Sequence, residues 1–327
     1  MTTLDRIKAP VATQLDRYEV YLRESLHSDD PLVNDMVAYV LASRGKAIRP
    51  LMALLGAAMY CDGKELPPSS YMAAMMLEMI HTATLIHDDV IDEAFTRRGK
   101  ASVNALWMSQ RAVLVGDFIL ARSFRAGMES GDYDIVEYIT RVMPALVEGE
   151  LMQSRQSDRL EMTREIYEQI IYRKTATLIG TSCGVGAMSA GAPLAEIERM
   201  KEIGDAAGMA FQIKDDILDY GPSATTGKPL CGDLRERKIT LPLLTVLEHA
   251  SACERKEIIA LLSGIRTRPS NVERLHSIVV ERGGLGMAQA VMEEYIARAA
   301  CLLDKCPPSQ YRDSLRELIL YIASREK

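Results

Sequence analysis

The chain reads as one large all-helical domain spanning residues 1–327. Three observations predict this. Helix-favouring Ala, Leu, Met, Glu and Arg dominate, with 18 methionines against four phenylalanines. Apolar residues recur at three and four along most of the chain. Strand-like alternation bounded by turn residues is hard to find. Length alone suggests two domains. No Pro/Ser-rich linker separates two halves, however, and no repeat of roughly 20–50 residues is visible.

The elements follow in order. Leu4, Ile7, Val11, Leu15 and Tyr18 share one face and predict an opening amphipathic helix. Asp29-Asp30-Pro31 starts the next, with Pro in its first turn. Gly63, Pro67 and Pro68 punctuate the chain before a long apolar helix over 70–92. Further helices are expected over 101–129, 134–156, 163–190, 195–220 and 241–248. Breaks are expected at Gly131, Ser157-Asp158, Gly191-Ala192-Pro193, Gly221-Pro222 and Arg268-Pro269. Gly283-Gly284 precedes a last pair of helices divided at Pro307-Pro308. The longest uncharged stretch, 175–195, contains Gly180, Gly184, Gly186, Gly191 and Pro193, and it reads as a buried soluble helix and turn rather than a membrane span.

Acidic residues outnumber basic ones, 45 to 39, for a formal charge of −6. That excludes the domain-wide basic field of a nucleic-acid binder, so an anionic ligand must be held by local Lys and Arg clusters. The six cysteines form no Cys-x-x-Cys pair and fit no zinc-finger spacing, as expected of reduced thiols. Met1-Thr2-Thr3-Leu4-Asp5-Arg6 lacks the basic-then-apolar order of a signal peptide, and a cytoplasmic location is expected.

Asp88-Asp89-Val90-Ile91-Asp92 ends the long apolar helix. Asp88 and Asp92 are four apart and Asp89 and Asp92 three apart, so their carboxylates share a face. Two such charges about 5 Å apart repel by roughly 3 kcal/mol at an effective dielectric of 20, which a solvated face screens. One such motif is therefore ordinarily bland. Asp215-Asp216-Ile217-Leu218-Asp219 repeats the spacing on a second apolar helix, Met209-Ala210-Phe211-Gln212-Ile213. If both triplets point into one cavity, cations must neutralise them. Oxygen ligands, few per motif, suit Mg²⁺ with an anionic substrate completing the shell. Basic residues stand beside these motifs: Lys46 and Arg49, Arg97-Arg98, Arg173-Lys174, Gly227-Lys228 and Lys238. Singly each is an ordinary surface cation; together they look like two phosphate sites. The 221–228 stretch nearly imitates a P-loop but has the wrong glycine spacing, Pro229 after its Lys, and no preceding strand.

Seven ordered motifs make the chain resemble a trans-isoprenyl diphosphate synthase (polyprenyl synthetase) of long-chain type. They are Gly45-Lys46-x-x-Arg49-Pro50, the run from His81 to Asp92, Arg97-Arg98-Gly99, Lys174-Thr175, Phe211-Gln212-x-x-Asp215-Asp216-x-x-Asp219, Gly227-Lys228, and Gly232-Asp233-Leu234 with Lys238. The resemblance implies an antiparallel helical bundle around a deep central cavity, and a homodimer. It implies that Asp88, Asp92, Asp215 and Asp219 hold Mg²⁺ bridging an allylic diphosphate, with Asp89 and Asp216 as outer-shell support. Arg97, Lys174 and Lys228 would grip the allylic diphosphate, and Lys238 joins the substrate-binding cations. Lys46, Arg49, His81 and Arg98 would hold isopentenyl diphosphate. Lys174, Thr175 and Gln212 would steady the allylic cation. Arg44 in place of a second glycine and Cys231 depart from the family pattern without removing a charged ligand.

Product length follows from the same resemblance. Short-chain members close the cavity with a large aromatic four or five residues before the first Asp; here those positions are Thr84 and Ala83, with Gly127 farther down a neighbouring helix. A polyprenyl diphosphate of eight or more isoprene units, suited to a quinone side chain, is expected. Transient membrane association for product delivery goes with it. The alternatives are a short-chain farnesyl or geranylgeranyl synthase, a terpene cyclase of similar fold, and a non-catalytic subunit of a hetero-oligomeric prenyltransferase. The intact Lys46, Arg49 and Arg98 set argues against the cyclase, and two complete Asp motifs argue against the silent subunit.

Overall fold

The structure is a computed structural model describing residues 2–61, 64–221 and 231–325. Helices dominate. Among the described residues the only strands are β1 (Thr96–Arg97) and β2 (Lys100–Ala101), antiparallel with Thr96 opposite Ala101. The chain forms two compact units.

The first unit comprises Met1–Arg141, Thr181–Lys201 and Asp304–Glu317. Its opening helix α1 (Thr3–Lys8) starts from a reciprocal capping box between Thr2 and Asp5. A tight turn over Ala9–Val11 leads to α2 (Ala12–Ser25). The Asp30 carboxylate accepts from the amides of Leu32 and Val33, and Pro31 needs no partner for a missing N–H, so α3 (Pro31–Ala42) begins there. Next come α4 (Ile48–Tyr60) and α5 (Pro68–Ile91). At 24 residues, α5 is about 36 Å long. Met72, Met75, Met76, Leu77, Met79 and Ile80 bury it on all sides, as suits a helix apolar all round. After the β1–β2 hairpin, α6 (Val103–Ser130) packs along α5, and α7 (Tyr133–Thr140) touches both. The helix expected over 101–129 is kinked at Met108, which has φ 70° and ψ 154°.

The second unit comprises Val142–Gly180, Glu202–Leu303 and Leu318–Lys327. Here α8 (Met143–Arg159) is followed by α9 (Arg164–Ile171), a wide π turn (Tyr172–Ala176) and α10 (Thr177–Ser189), whose residues from Thr181 on belong to the first unit. Then come α11 (Leu194–Asp219), which enters this unit at Glu202, α12 (Gly232–Arg235), α13 (Leu241–His249) and α14 (Ala252–Ser263). The last are α15 (Asn271–Glu281), α16 (Gly284–Leu303) and α17 (Gln310–Ser324), which belongs to this unit only from Leu318 on. Ile171, Ile213, Leu234, Leu241, Leu275, Val279 and Met292 form the core of this unit.

The expected helices omit α4, α14 and α15, and three further features differ. The helix expected over 134–156 is two, α7 and α8, because Pro144 in the first turn of α8 lacks an N–H and its ring would strike the carbonyl four residues back. The break expected at Ser157-Asp158 falls later, where Leu160 turns left-handed at φ 56°. The helix expected over 163–190 is widened by the π turn. Cys61, Cys183, Cys231 and Cys306 are buried thiols; Cys253 and Cys301 are exposed. No helix among the described residues is long and apolar enough to cross a membrane.

Candidate functional site

In the first unit, the buried run of α5 surfaces at its last turn. Asp88 is half-buried there, Asp92 exposed and Asp89 buried. Taking the Asp89 carboxylate out of water demands a partner. Arg97 provides it as a fork: Nε donates to Oδ1 and Oδ2 at 2.8 and 2.7 Å, and Nη2 lies 2.7 Å from Oδ1. The hairpin makes this possible by turning the chain back at Arg98 and Gly99, both at positive φ. Arg98 then reaches the other way. Its Nη1 donates to the Ser43 carbonyl at 3.3 Å, and its guanidinium lies over Gly45, where a Cβ would stand 2.7 Å from Cζ. Arg97, on the strand, and Arg98, in the turn at positive φ, therefore face different partners.

Lys46 is exposed in the loop before α4, and Arg49 is half-buried in the first turn of α4. His81 is half-buried on α5. Burial, and then the charges of Arg49, Arg98 and Arg97, hold its imidazole well below the usual histidine range, so it is neutral at pH 7. One turn earlier on the same face is Glu78, a buried carboxyl that the sequence analysis missed. Burial raises its pKa, and Arg49, Arg44 and Arg98 partly offset the rise. Its only signal in the sequence was a lone carboxylate within an apolar helix. Of the residues expected to set product length, Ala83 is fully buried and the Thr84 hydroxyl donates to the His81 carbonyl at 2.8 Å. Gly127 lies against Met76, two turns before Ala83: a Cβ on Gly127 would meet Met76 Sδ at 2.7 Å.

In the second unit, the π turn presents Lys174 and Thr175 toward α8 and α11. Lys174 Nζ donates to Gln153 Oε1 at 2.7 Å and pairs with Glu150 at 2.5 Å. A side-chain relay then runs inward. Thr175 Oγ1 donates to Gln212 Oε1 at 2.8 Å, Gln212 Nε2 donates to Asp216 Oδ1 at 3.0 Å, and the buried Tyr167 hydroxyl donates to Asp216 Oδ2 at 2.6 Å. Gln153, Tyr167, Lys174, Gln212 and Asp216, with Asp233 and Lys238, line a cavity of about 90 Å³. Burial pushes the Asp216 carboxyl up to about 7; the Tyr167 and Gln212 hydrogen bonds oppose the rise, and the charges of Asp215 and Asp219 add to it. Asp233 is likewise raised well above the usual range by burial and by Asp216 and Asp219.

The outer carboxylates of this motif are engaged differently. Asp219 accepts the Gly232 amide on Oδ1 and the Asp233 amide on Oδ2, both at 3.0 Å, which anchors α12. Asp215 Oδ1 is 2.7 Å from Arg325. Lys238 pairs with Glu236 at 2.5 Å, and its amide donates to the Asp233 carbonyl at 2.8 Å. Lys228 and Gly227 lie outside the described residues. Tyr167, Asp233 and Arg325 also went unassigned in the sequence analysis. The Gly232-Asp233-Leu234 motif flagged only the second.

Both middle aspartates, Asp89 and Asp216, are thus buried and bound by the chain's own donors, while the outer pairs are more open. Among the described residues, no three or more His, Cys, Asp or Glu are grouped to hold a metal. Two carboxylates four apart per motif fit a hard divalent ion that keeps water and takes further oxygens from an anionic ligand; they do not fit an all-protein cage.

Comparison with known proteins adds three findings. The sequence model of the polyprenyl synthetase family matches residues 30–280. The chain is 36% identical to the all-trans-nonaprenyl-diphosphate synthase (geranyl-diphosphate specific) of Rhodobacter capsulatus, covering 95% of each, and 33% identical to heptaprenyl diphosphate synthase component 2 of Geobacillus stearothermophilus, covering 97% of each. Among solved structures it resembles the polyprenyl synthase of Caulobacter crescentus complexed with calcium and isoprenyl diphosphate. The TM-score is 0.90 at 31% identity, covering 99% of this chain and 98% of that one.

Proposed function

We propose, from the premise that this chain belongs to the polyprenyl synthetase family, that it is a Mg²⁺-dependent prenyltransferase adding isopentenyl diphosphate to an allylic diphosphate to build a long all-trans polyprenyl diphosphate. The observation that carries this reading is the end-to-end match to long-chain synthases of a chain that keeps both Asp motifs. Asp88 and Asp92 on α5, and Asp215 and Asp219 on α11, supply the metal carboxylates. Mg²⁺, when bound, provides positive charge to the departing pyrophosphate.

The other duties fall to the chain's own groups. Lys46, Arg49 and Arg98 hold the diphosphate of isopentenyl diphosphate by charge-assisted hydrogen bonds. A neutral His81 beside them binds phosphate oxygen by donating, without adding to their mutual repulsion. Arg97, Lys174, Lys228 and Lys238 serve the allylic diphosphate. The Thr175 and Gln212 dipoles, held by the relay to Asp216, face the developing allylic cation without a nucleophile that would trap it. The buried Ala83 and the short Thr84 put no aromatic floor under the growing chain. We assign the protein to the cytoplasm, as a homodimer touching membrane transiently to deliver its product.

The test is to incubate pure protein with Mg²⁺, isopentenyl diphosphate and, in turn, geranyl, farnesyl and geranylgeranyl diphosphate, then chromatograph the dephosphorylated lipids. Polyprenols of eight or more units are expected. Release of neither pyrophosphate nor longer lipid would overturn the enzyme reading, and a stop at fifteen or twenty carbons would favour the short-chain alternative. The likeness to a protein named as component 2 favours a second reading, in which a partner chain is required. Full activity of the isolated chain would exclude it.

A further inference from the structure

Arg325 lies just beyond α17, and its guanidinium is held at three points on α11. Nη2 donates to the Phe211 carbonyl at 3.0 Å and to Asp215 Oδ1 at 2.7 Å, and Cζ sits 3.8 Å from the centroid of the Phe211 ring. Phe211 and Asp215 are four apart, one above the other on the helix, so one planar cation addresses both. The Arg325 side chain is only 9% exposed, and its buried Nε has no hydrogen-bond partner among the described residues. A largely desolvated arginine that leaves one donor unsatisfied is costly, and the Asp215 carboxylate is the charge that retains it. Asp215 is also one of the two outer carboxylates assigned above to metal.

We propose that Arg325 is a built-in counter-cation for Asp215 that competes with the divalent ion, so that metal loading of this motif displaces the guanidinium from the carboxylate. The inference rests on the metal assignment of the proposed function and gives that site a regulator. Without metal, Arg325 offsets part of the negative charge that Asp215 and Asp219 place beside Asp216. With metal, a monovalent and a divalent cation beside one carboxylate repel each other, and the more weakly bound leaves. The π face of Phe211 and its carbonyl remain as a second seat for the arginine, which makes the exchange reversible.

The opposing possibility is a purely structural anchor: Arg325 fixes the Asp215 rotamer, and its loss weakens metal binding. The two differ in sign. In the full-length protein, free Mn²⁺ counted by electron paramagnetic resonance should show Arg325→Gln binding the ion at least about threefold tighter than wild type, because a repelling charge has gone. Arg325→Lys, which keeps the charge, should stay near wild type. Equal or weaker binding by Arg325→Gln overturns the proposal. A second readout needs no variant at that position. Tryptic cleavage after Arg325, followed by mass spectrometry, should be slow in metal-free protein and accelerate with Mg²⁺ plus inorganic pyrophosphate. No acceleration, or equal acceleration in Asp215→Asn, overturns it as well. The lipid assay separates the two layers. If wild type makes polyprenyl diphosphate and Mn²⁺ affinity does not rise in Arg325→Gln, only this inference fails. If no product forms yet affinity rises, the competition stands and the enzyme reading fails.

Discussion

Replacing Tyr167 by Phe removes one hydroxyl and leaves the ring in its core position. That hydroxyl donates 2.6 Å to Asp216 Oδ2 and is among the groups that hold the Asp216 carboxyl at about 7 rather than higher. A carboxyl raised from 3.8 to about 7 favours the protonated fold. The stability it contributes is present at low pH and is lost as pH rises from about 4 through about 7, a loss on the order of 4 kcal/mol. Tyr167 softens that loss, because its hydrogen bond is strongest to the ionised acceptor. In Tyr167→Phe the Asp216 pKa should rise further, and the loss should extend above pH 7. A hydrogen bond to a buried charged group contributes about 1.5–3 kcal/mol, and to a neutral one about 1 kcal/mol. The variant should therefore be destabilised by about 2–3 kcal/mol at pH 8 and by about 1 kcal/mol at pH 5. Urea unfolding followed by circular dichroism, in chelator to keep the protein metal-free, measures both. Equal destabilisation at the two pH values, or a larger effect at pH 5, would refute the assignment of a titrating Asp216 at the end of this relay.

Four further outcomes are expected. Asp88→Ala and Asp215→Ala should each lower turnover at least about 100-fold while leaving helicity intact, as measured by product assay and circular dichroism. Arg98→Ala should raise the KM for isopentenyl diphosphate more than that for the allylic primer; equal effects would show that Arg97 and Arg98 do not divide the two diphosphates. Ala83→Tyr should shorten the product toward fifteen to twenty carbons with the first condensation intact. Because Ala83 is fully buried, overpacking should cost that variant about 1–3 kcal/mol, seen as a lower Tm. His81 is held well below its usual range in the fold but titrates normally when unfolded, so stability should fall as pH drops below about 6.5. His81→Asn should flatten that fall in urea titrations at pH 5 and 7.

The helical class, the two Asp motifs and most helix boundaries were legible in the sequence because they are local. Three- and four-residue periodicity and prolines in first turns, such as Pro31 after Asp30, act within a turn or two of chain. Even the unexpected break between α7 and α8 has a local cause, Pro144. Conversely, Tyr167 meets Asp216 across 49 positions and Arg325 meets Asp215 across 110, and no spacing rule connects such pairs. Glu78 likewise meets the charges of Arg49, Arg44 and Arg98 only because folding brings them to α5. The sequence by itself determined which residue types were available and which helix face carried them. Tertiary structure alone decided which carboxylates were buried and which stayed partly exposed. Desolvation and Coulomb energy depend on what surrounds a charge in space, and that is set only when distant segments pack.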